Sequence, residues 1–213
     1  MTRKAMAVIG LGLVFAFLLN AAPVRACGGG AVQLQDSFQT LSGNWGQPSA
    51  NLSVQGGKLV IKPTLNDMYR AFYVGNLYSD ADICVDVTIT AGGPKLGYTY
   101  AVLDFWSADT NNFYELEVSA QGTFNIERLA AGRWIALAPW TPSAALKKGL
   151  NQTNSLEVIT KGTQMTFIAN GTQLDSLNGQ PPQGGGELAL GANSGPAHQP
   201  TWEFGNFKVS TPN

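Results

Sequence analysis

Between Leu96 and Arg128 the stretch LGYTYAVLDFWSADTNNFYELEVSAQGTFNIER alternates apolar and polar side chains with a period of two, across Tyr98 to Trp106 and again across Phe113 to Ser119. That period sends successive side chains to opposite faces of a strand and does not suit a helix. A Ser/Asp/Thr/Asn cluster separates the two runs, and Ala120-Gln121-Gly122 leads into a third, so the stretch reads as an antiparallel meander. Ala101, Leu103 and Phe105 then share a core face with Tyr114, Leu116 and Val118. The opposite face collects Tyr98, Tyr100, Val102, Asp104 and Trp106 with Phe113, Glu115, Glu117 and Ser119. Aromatic rings stack on the C–H face of a pyranose and carboxylates accept its hydroxyl protons, so this is a candidate sugar-binding surface. An ordinary solvated face of an antiparallel sheet has the same pattern, since strands favour Tyr and Trp.

The rest of the chain repeats the theme. Further strand-like runs lie around Gln33 to Phe38, Leu52 to Gln55, Lys58 to Lys62, Arg70 to Val74, Ile83 to Thr90, Trp134 to Ala138, Ser155 to Lys161, Gln164 to Ala169, Glu187 to Gly191 and Trp202 to Ser210. Turn signals such as Gln55-Gly56-Gly57, Gly92-Gly93-Pro94, Ala131-Gly132, Asn170-Gly171 and Gly184-Gly185-Gly186 stand between them. Only Pro142 to Lys148 has a helical look. The expected architecture is all-β: a sandwich of two antiparallel sheets, a jelly roll, without the repeat that would signal a propeller. In Asp82 to Thr90, Ile83, Val85, Val87 and Ile89 alternate with Asp82, Cys84, Asp86 and Thr88, and pairing beside the meander would bring Asp86 to the same polar face.

Residues 1–26 read as a secretory signal: Arg3 and Lys4, an apolar stretch from Ala5 to Leu19, then Val24-Arg25-Ala26 at the cleavage site. At about 15 residues the apolar run is short for a membrane span, and no spanning run follows in the mature chain, which is expected outside the cytoplasm, secreted or periplasmic. Residues 27–213 fit one domain, with a core from about 35 to 209. The signal removes Arg3, Lys4 and Arg25, leaving ten basic residues against 14 acidic ones. With Lys147-Lys148 the one adjacent basic pair after the signal, nucleic acid is an unsuitable partner. The chain has two cysteines. Cys27, first after the predicted cut, either pairs with Cys84 in an oxidising compartment or carries a lipid anchor, for which Arg25 sits poorly; the disulfide is preferred.

Several spacings together resemble the concanavalin A-like lectin/glucanase superfamily. They are Asp36-Ser37-Phe38 then Trp45, Gly57-Lys58-Leu59, Tyr78-Ser79-Asp80-Ala81-Asp82, Asn112-Phe113-Tyr114 then Gly122, Arg133-Trp134, Asn154-Ser155-Leu156, Asn170-Gly171, and Phe204-Gly205-Asn206-Phe207-Lys208-Val209. Within the superfamily the chain looks most like secreted bacterial laminin G-like domains and the 3-keto-disaccharide hydrolase domain family. The resemblance spans about Gln35 to Val209 and implies lectins, binding modules and glycosidases alike, because fold does not fix function. Glucanases of the laminarinase and lichenase type carry a Glu, an Asp two residues on, and a second Glu two or three residues beyond. Here Glu115 and Glu117 are followed by Val118, Ser119 and Ala120, so the second catalytic glutamate is missing. Glu115 and Glu117 have α-carbons about 7 Å apart on one face, which permits an acid/base or nucleophile pair without indicating one.

Other chemistries find little support. The single histidine, His198, excludes a multi-histidine metal site, and no Gly-x-Ser-x-Gly elbow is present. No cofactor or metal is expected. Calcium would have to use Asp80, Asp82, Asp104 or Asp109 without a calcium-loop spacing. Asn51, Asn151 and Asn170 match glycosylation patterns but read as turn residues. Trp134 and Trp140 are further sugar platforms if Ile135 and Leu137 face the core; Trp45 and Trp202 read as core. The sequence therefore points to a carbohydrate-binding jelly roll with Tyr98, Tyr100, Trp106 and Trp134 as aromatic groups and Asp86, Asp104, Glu115 and Glu117 as acceptors. The alternatives are a glycoside hydrolase using Glu115 and Glu117, and a structural or adhesion domain of the cell envelope.

Overall fold

A computed structural model describes residues 27–92 and 99–213; the expected signal segment and Tyr98 lie outside the described residues. The strands in chain order are β1 (Val32–Asp36), β2 (Leu52–Gln55), β3 (Lys58–Ile61), β4 (Met68–Tyr78), β5 (Ala81–Ala91), β6 (Tyr100–Asp109), β7 (Asn112–Ser119), β8 (Thr123–Ala130), β9 (Arg133–Pro142), β10 (Thr153–Lys161), β11 (Gln164–Ala169), β12 (Thr172–Asn178), β13 (Gly186–Asn193) and β14 (Thr201–Ser210). A single 3-10 turn, Gly43–Trp45, is the one helical element among the described residues. Two antiparallel sheets form a sandwich. One has the order β12-β11-β10-β5-β14-β3-β2 with β1 on β14; the other has the order β4-β13-β6-β7-β8-β9.

The core lies where the inward faces meet. Leu103, Phe105, Leu116 and Ile126 of the six-stranded sheet join the buried cluster that holds Ile83, Val85, Leu156, Phe167, Phe204 and Phe207 of the other sheet. Alternating strands deliver one apolar residue in two to this layer, and β-branched and aromatic residues fill a pleated surface well. Trp45 sits edge-on to Tyr73 and Phe207, with ring centroids 5.1 and 5.0 Å away, and donates its Nε1–H to Asp36 Oδ2 at 2.9 Å. Trp202 is equally buried and donates to Thr99 Oγ1 at 2.8 Å, so both tryptophans are core residues as expected.

Three expectations are corrected. β5 belongs to the larger sheet, between β10 and β14, so its polar residues do not extend the meander's face. Pro142 to Lys148 forms turns rather than a helix. Its backbone is taken up by Ser143 N donating to Gly122 O, by Leu146 N donating to Ser143 O, and by the Asn154 amide, which accepts from Lys147 N and donates to Lys147 O. Ile135 is exposed, because β9 is the outermost strand of its sheet and Ile135 stands there opposite the half-buried Arg128 rather than over the core. β12 carried no strand signal in the sequence, since TQLDSLN is mostly polar and pairs only at the sheet's edge. Cys27 and Cys84 form a disulfide that ties the start of the described chain to β5, with α-carbons 5.7 Å apart.

Candidate functional site

The outward face of the six-stranded sheet gathers the polar residues of the meander. The ladders place Asp104, Glu115 and Glu127 in one row across β6, β7 and β8, and Val102, Glu117 and Asn125 in the next. Arg70 enters from β4, two strands from β6. It crosses β13 where Gly191 faces it, and a Cβ at Gly191 would stand 3.0 Å from Arg70 Cγ and 2.8 Å from Val102 Cγ2. The missing side chain lets the guanidinium reach over: Nε donates to Asp104 Oδ2 at 2.8 Å and Nη2 to Glu115 Oε2 at 2.5 Å. Asn125 Nδ2 donates to Glu117 Oε2 at 2.7 Å.

These carboxyl groups are sealed: Asp104, Glu115 and Glu117 are 0%, 1% and 3% exposed. Burial disfavours the charged form, and neighbouring carboxylates add to it. Burial chiefly, with help from Glu115, pushes the Glu117 carboxyl up to about 9 against the opposing Asn125 hydrogen bond. Burial holds Asp104 well above the carboxylate range even with Arg70 beside it. The Tyr100 phenol is raised by burial and then by Glu117 and Glu115. At Arg70 burial lowers the pKa, and the combined pull of Asp104 and Glu115 overcomes it. Asp104 Oδ1 and Asn125 Oδ1 are buried without a partner. Glu115, Glu117 and Glu127 bring oxygens within 4.8 Å of one another, a set that hard cations favour. A second acidic group, Asp82, Cys84 and Glu157, lacks a thiolate because Cys84 is in the disulfide.

Two aromatic pairs stand over this network. Tyr100 meets Trp140 edge-on at 5.3 Å, and Phe113 meets Trp134 edge-on at 5.6 Å, with the Arg70 guanidinium 5.1 Å from the Phe113 ring and 5.9 Å from that of Trp134. Trp134 and Trp140 are 49% and 43% exposed. The face is thus a low surface of half-exposed tryptophans above sealed carboxyls. Such a surface can stack on an apolar ring face, and its buried Glu117 carries a proton at neutral pH.

Of the sequence-derived candidates, the fold brings together Tyr100, Asp104, Glu115, Glu117 and Trp134. Two are elsewhere. Asp86 lies on β5 in the other sheet, where Asn206 Nδ2 donates to its Oδ2 at 2.7 Å. Trp106 is no platform: it has a φ of 48° in an irregular stretch of the β6–β7 ladder, and its ring turns into the core against Phe105 and Tyr114. Its Nε1–H donates to Ser79 O at 2.6 Å. Asp80 and Asp109 accept from the backbone of Gly162 and Asn111, on different parts of the molecule from Asp104. Arg70, Asn125 and Glu127 were missed. Arg70 had one signal, being the only basic residue in Met68–Tyr78; Asn125 and Glu127 had the alternation of the third meander run.

No family model matches the chain, and no curated protein matches it. Solved structures do. The carbohydrate binding module CBM66 from Bacillus subtilis superposes with a TM-score of 0.52 at 16% identity, over 83% of this chain and 97% of that one. The Bacillus licheniformis beta-glucanase gives a TM-score of 0.57 at 10% identity, over 86% and 99%. The catalytic domain of an endo-1,3-beta-glucanase (laminarinase) from Thermotoga petrophila gives 0.62 at 12% identity, over 85% and 98%. The chain shares with these proteins the fold of two antiparallel sheets packed as a jelly-roll sandwich.

Proposed function

We propose that this protein is an extracytoplasmic glycan-binding domain whose ligand lies on the outward face of the six-stranded sheet. The observation that carries the reading is the pair of half-exposed tryptophans, Trp134 and Trp140, each held edge-on by a second aromatic ring on either side of the carboxyl network. An aromatic ring fixed in orientation stacks on a sugar at little entropic cost. Trp134 and Trp140 lie six residues apart on β9, up to about 20 Å along the strand, which suits an oligosaccharide better than a monosaccharide. The disulfide supports a location in an oxidising compartment. Solved structures of the same fold include a carbohydrate binding module and glucanases, which makes carbohydrate the ligand class to test first.

A second reading, glycoside hydrolysis, is favoured by one observation. Glu117 is raised to about 9, as a general acid requires, beside a glutamate that pairs with Arg70. Against it, Ser119 and Ala120 stand where the glucanase pattern has its second glutamate, and both carboxyl groups are sealed rather than set in a cleft.

One experiment separates the two: a glycan array probed with the purified domain and its Trp134→Ala and Trp140→Ala variants, with released sugar monitored in the same wells. Glycan binding that falls about fivefold or more in each variant, with no sugar released, is the expected outcome, since stacking is worth roughly 1 kcal/mol or more per ring. Sugar release abolished by Glu117→Gln would replace the binding reading with the hydrolase.

A further inference from the structure

Beside the tryptophan face, at the end of the sandwich, a groove of about 380 Å³ runs between the β6–β7–β8 strand ends and the loop 179–185. Trp106, Tyr114 and Phe113 form its aromatic part, Pro181 and Pro182 an apolar wall, and Arg128 its one charge. The Arg128 guanidinium lies 5.1 Å from the Tyr114 ring centroid, and its Nη1 donates to Gln180 Oε1 at 2.8 Å. Among the described residues the ion pairs all belong to Arg70, so Arg128 has no carboxylate partner, and no acid lines the groove. Of the acids adjacent in sequence to lining residues, Asp109 is already occupied by Asn111 N and by Asn112 Nδ2 on both its oxygens, and Glu115 and Glu127 stand opposite each other on the other face of β7 and β8 from Tyr114 and Arg128.

The groove is also prebuilt. Gln180 N donates to Tyr114 Oη at 2.8 Å, Gly179 N to Thr163 O at 2.7 Å and Gly185 N to Pro182 O at 3.1 Å. Gly179 lies so close that a Cβ there would meet Trp106 Cζ3 at 2.9 Å, so the indole that fails as a platform on the open face is the seat of this loop. A guanidinium fixed on an aromatic ring, with one of its five N–H donors used by a neutral amide, is set to receive a planar anion through two parallel hydrogen bonds. The groove meets the tryptophan face only round the strand ends: Phe113 and Leu129 line it and lie on Trp134's side of the sheet, Phe113 packing on Trp134 and Leu129 opposite it in the ladder, whereas Arg128 and Tyr114 pair on the other side of the same strands.

We propose that the Arg128 groove is an acidic-sugar subsite, in which Arg128 binds the carboxylate of a uronic acid residue of a glycan that stacks on Trp134 and passes round the strand ends into the groove. This rests on the glycan-binding reading of the tryptophan face and gives its substrate class: a glycan bearing anionic units, read at one end by a guanidinium. Asp104 and Glu115 of the open face do not oppose it, because both are matched by Arg70.

The test is a titration of ¹⁵N-labelled protein with sodium glucuronate, methyl glucoside and glucose 6-sulfate, following Arg128 Nε–H, the Gln180 and Gln183 side-chain amides and the Trp134 and Trp140 indole signals. Glucuronate is expected to shift the Arg128, Gln180 and Gln183 signals at concentrations about tenfold below methyl glucoside, with the difference shrinking as salt is added. Arg128→Lys, which keeps the charge but loses the fork, should remove most of that preference, and Arg128→Gln all of it. Equal responses to glucuronate and methyl glucoside, or none in the groove signals, would overturn the subsite. A stronger response to glucose 6-sulfate than to glucuronate would overturn the carboxylate assignment in favour of a sulfate ester. Failure of the tryptophan-face reading shows separately: the indole signals would then stay still with every oligosaccharide that binds on the array.

Discussion

Glu117 illustrates how one buried carboxyl sets a pH dependence. Its folded pKa of about 9 lies above the ordinary 4.5, so the folded state holds a proton that the unfolded chain releases between those values. The resulting stability is present in full at and below the ordinary carboxylate range and is lost as pH rises toward 9. Glu117→Gln is neutral throughout and keeps an oxygen to accept from Asn125 Nδ2. Thermal melts across this range should show the wild-type Tm falling with pH and the variant's falling less. Arg70 predicts the opposite kind of effect. Without it, Asp104 and Glu115 remain buried with no cation, and breaking a buried pair from one side costs about 3 kcal/mol or more. Denaturant unfolding of Arg70→Gln at neutral pH should show that loss.

At the scale of elements, the site depends on how β13 and β6 fit together. Gly186 lies at the irregularity of the β13–β4 ladder, next to that of the β13–β6 ladder, and a Cβ there would run into Trp106 C and stand 2.5 Å from Ser107 N. Both are backbone atoms and cannot swing aside. Gly186→Ala should therefore cost roughly 2 kcal/mol or more in denaturant unfolding, and it should release the Trp106 indole from Ser79 O, seen as a shifted indole N–H signal. The same bulged stretch explains why the alternation of β6 failed at its end. Tyr100, Val102 and Asp104 keep the period of two, and Trp106 leaves it at the residue where φ becomes positive. β9 behaves differently: its two irregularities cancel, so Trp134 and Trp140 both reach the outward face.

For the whole molecule, the covalent tie between Cys27 and Cys84 spans 57 residues of sequence. Loop-closure entropy assigns such a cross-link about 4 kcal/mol. Urea unfolding of the Cys27→Ser, Cys84→Ser double variant should show a midpoint lowered accordingly with a β-rich far-UV spectrum retained. Next to the disulfide, Glu157 is pushed up to about 7 by burial and by Asp82, with Lys208 pulling the other way. Its contribution has the same sign as that of Glu117 and disappears over a lower range, between the ordinary carboxylate value and about 7. Both sheets therefore favour mildly acidic conditions.

The strand order of residues along the chain was legible in the sequence because alternation is local: each run of Ile83 to Thr90 or Tyr98 to Ser119 states which residues face a core, and Gly, Asn and Asp mark the turns. The co-facing of Tyr100, Asp104, Glu115 and Glu117 followed from the same rule, since adjacent strands of a meander pair with each other. The sheet to which β5 belongs was not legible, because a jelly roll joins strands distant in sequence and nothing in Asp82 to Thr90 names its partners β10 and β14. Arg70 reached the site only through β13, whose Gly191 leaves room for it, and Trp106 left the site through one positive φ. Alternation thus determined which face each side chain takes within its strand; long-range pairing and backbone irregularities, which depend on packing between the sheets, decided which faces became the site.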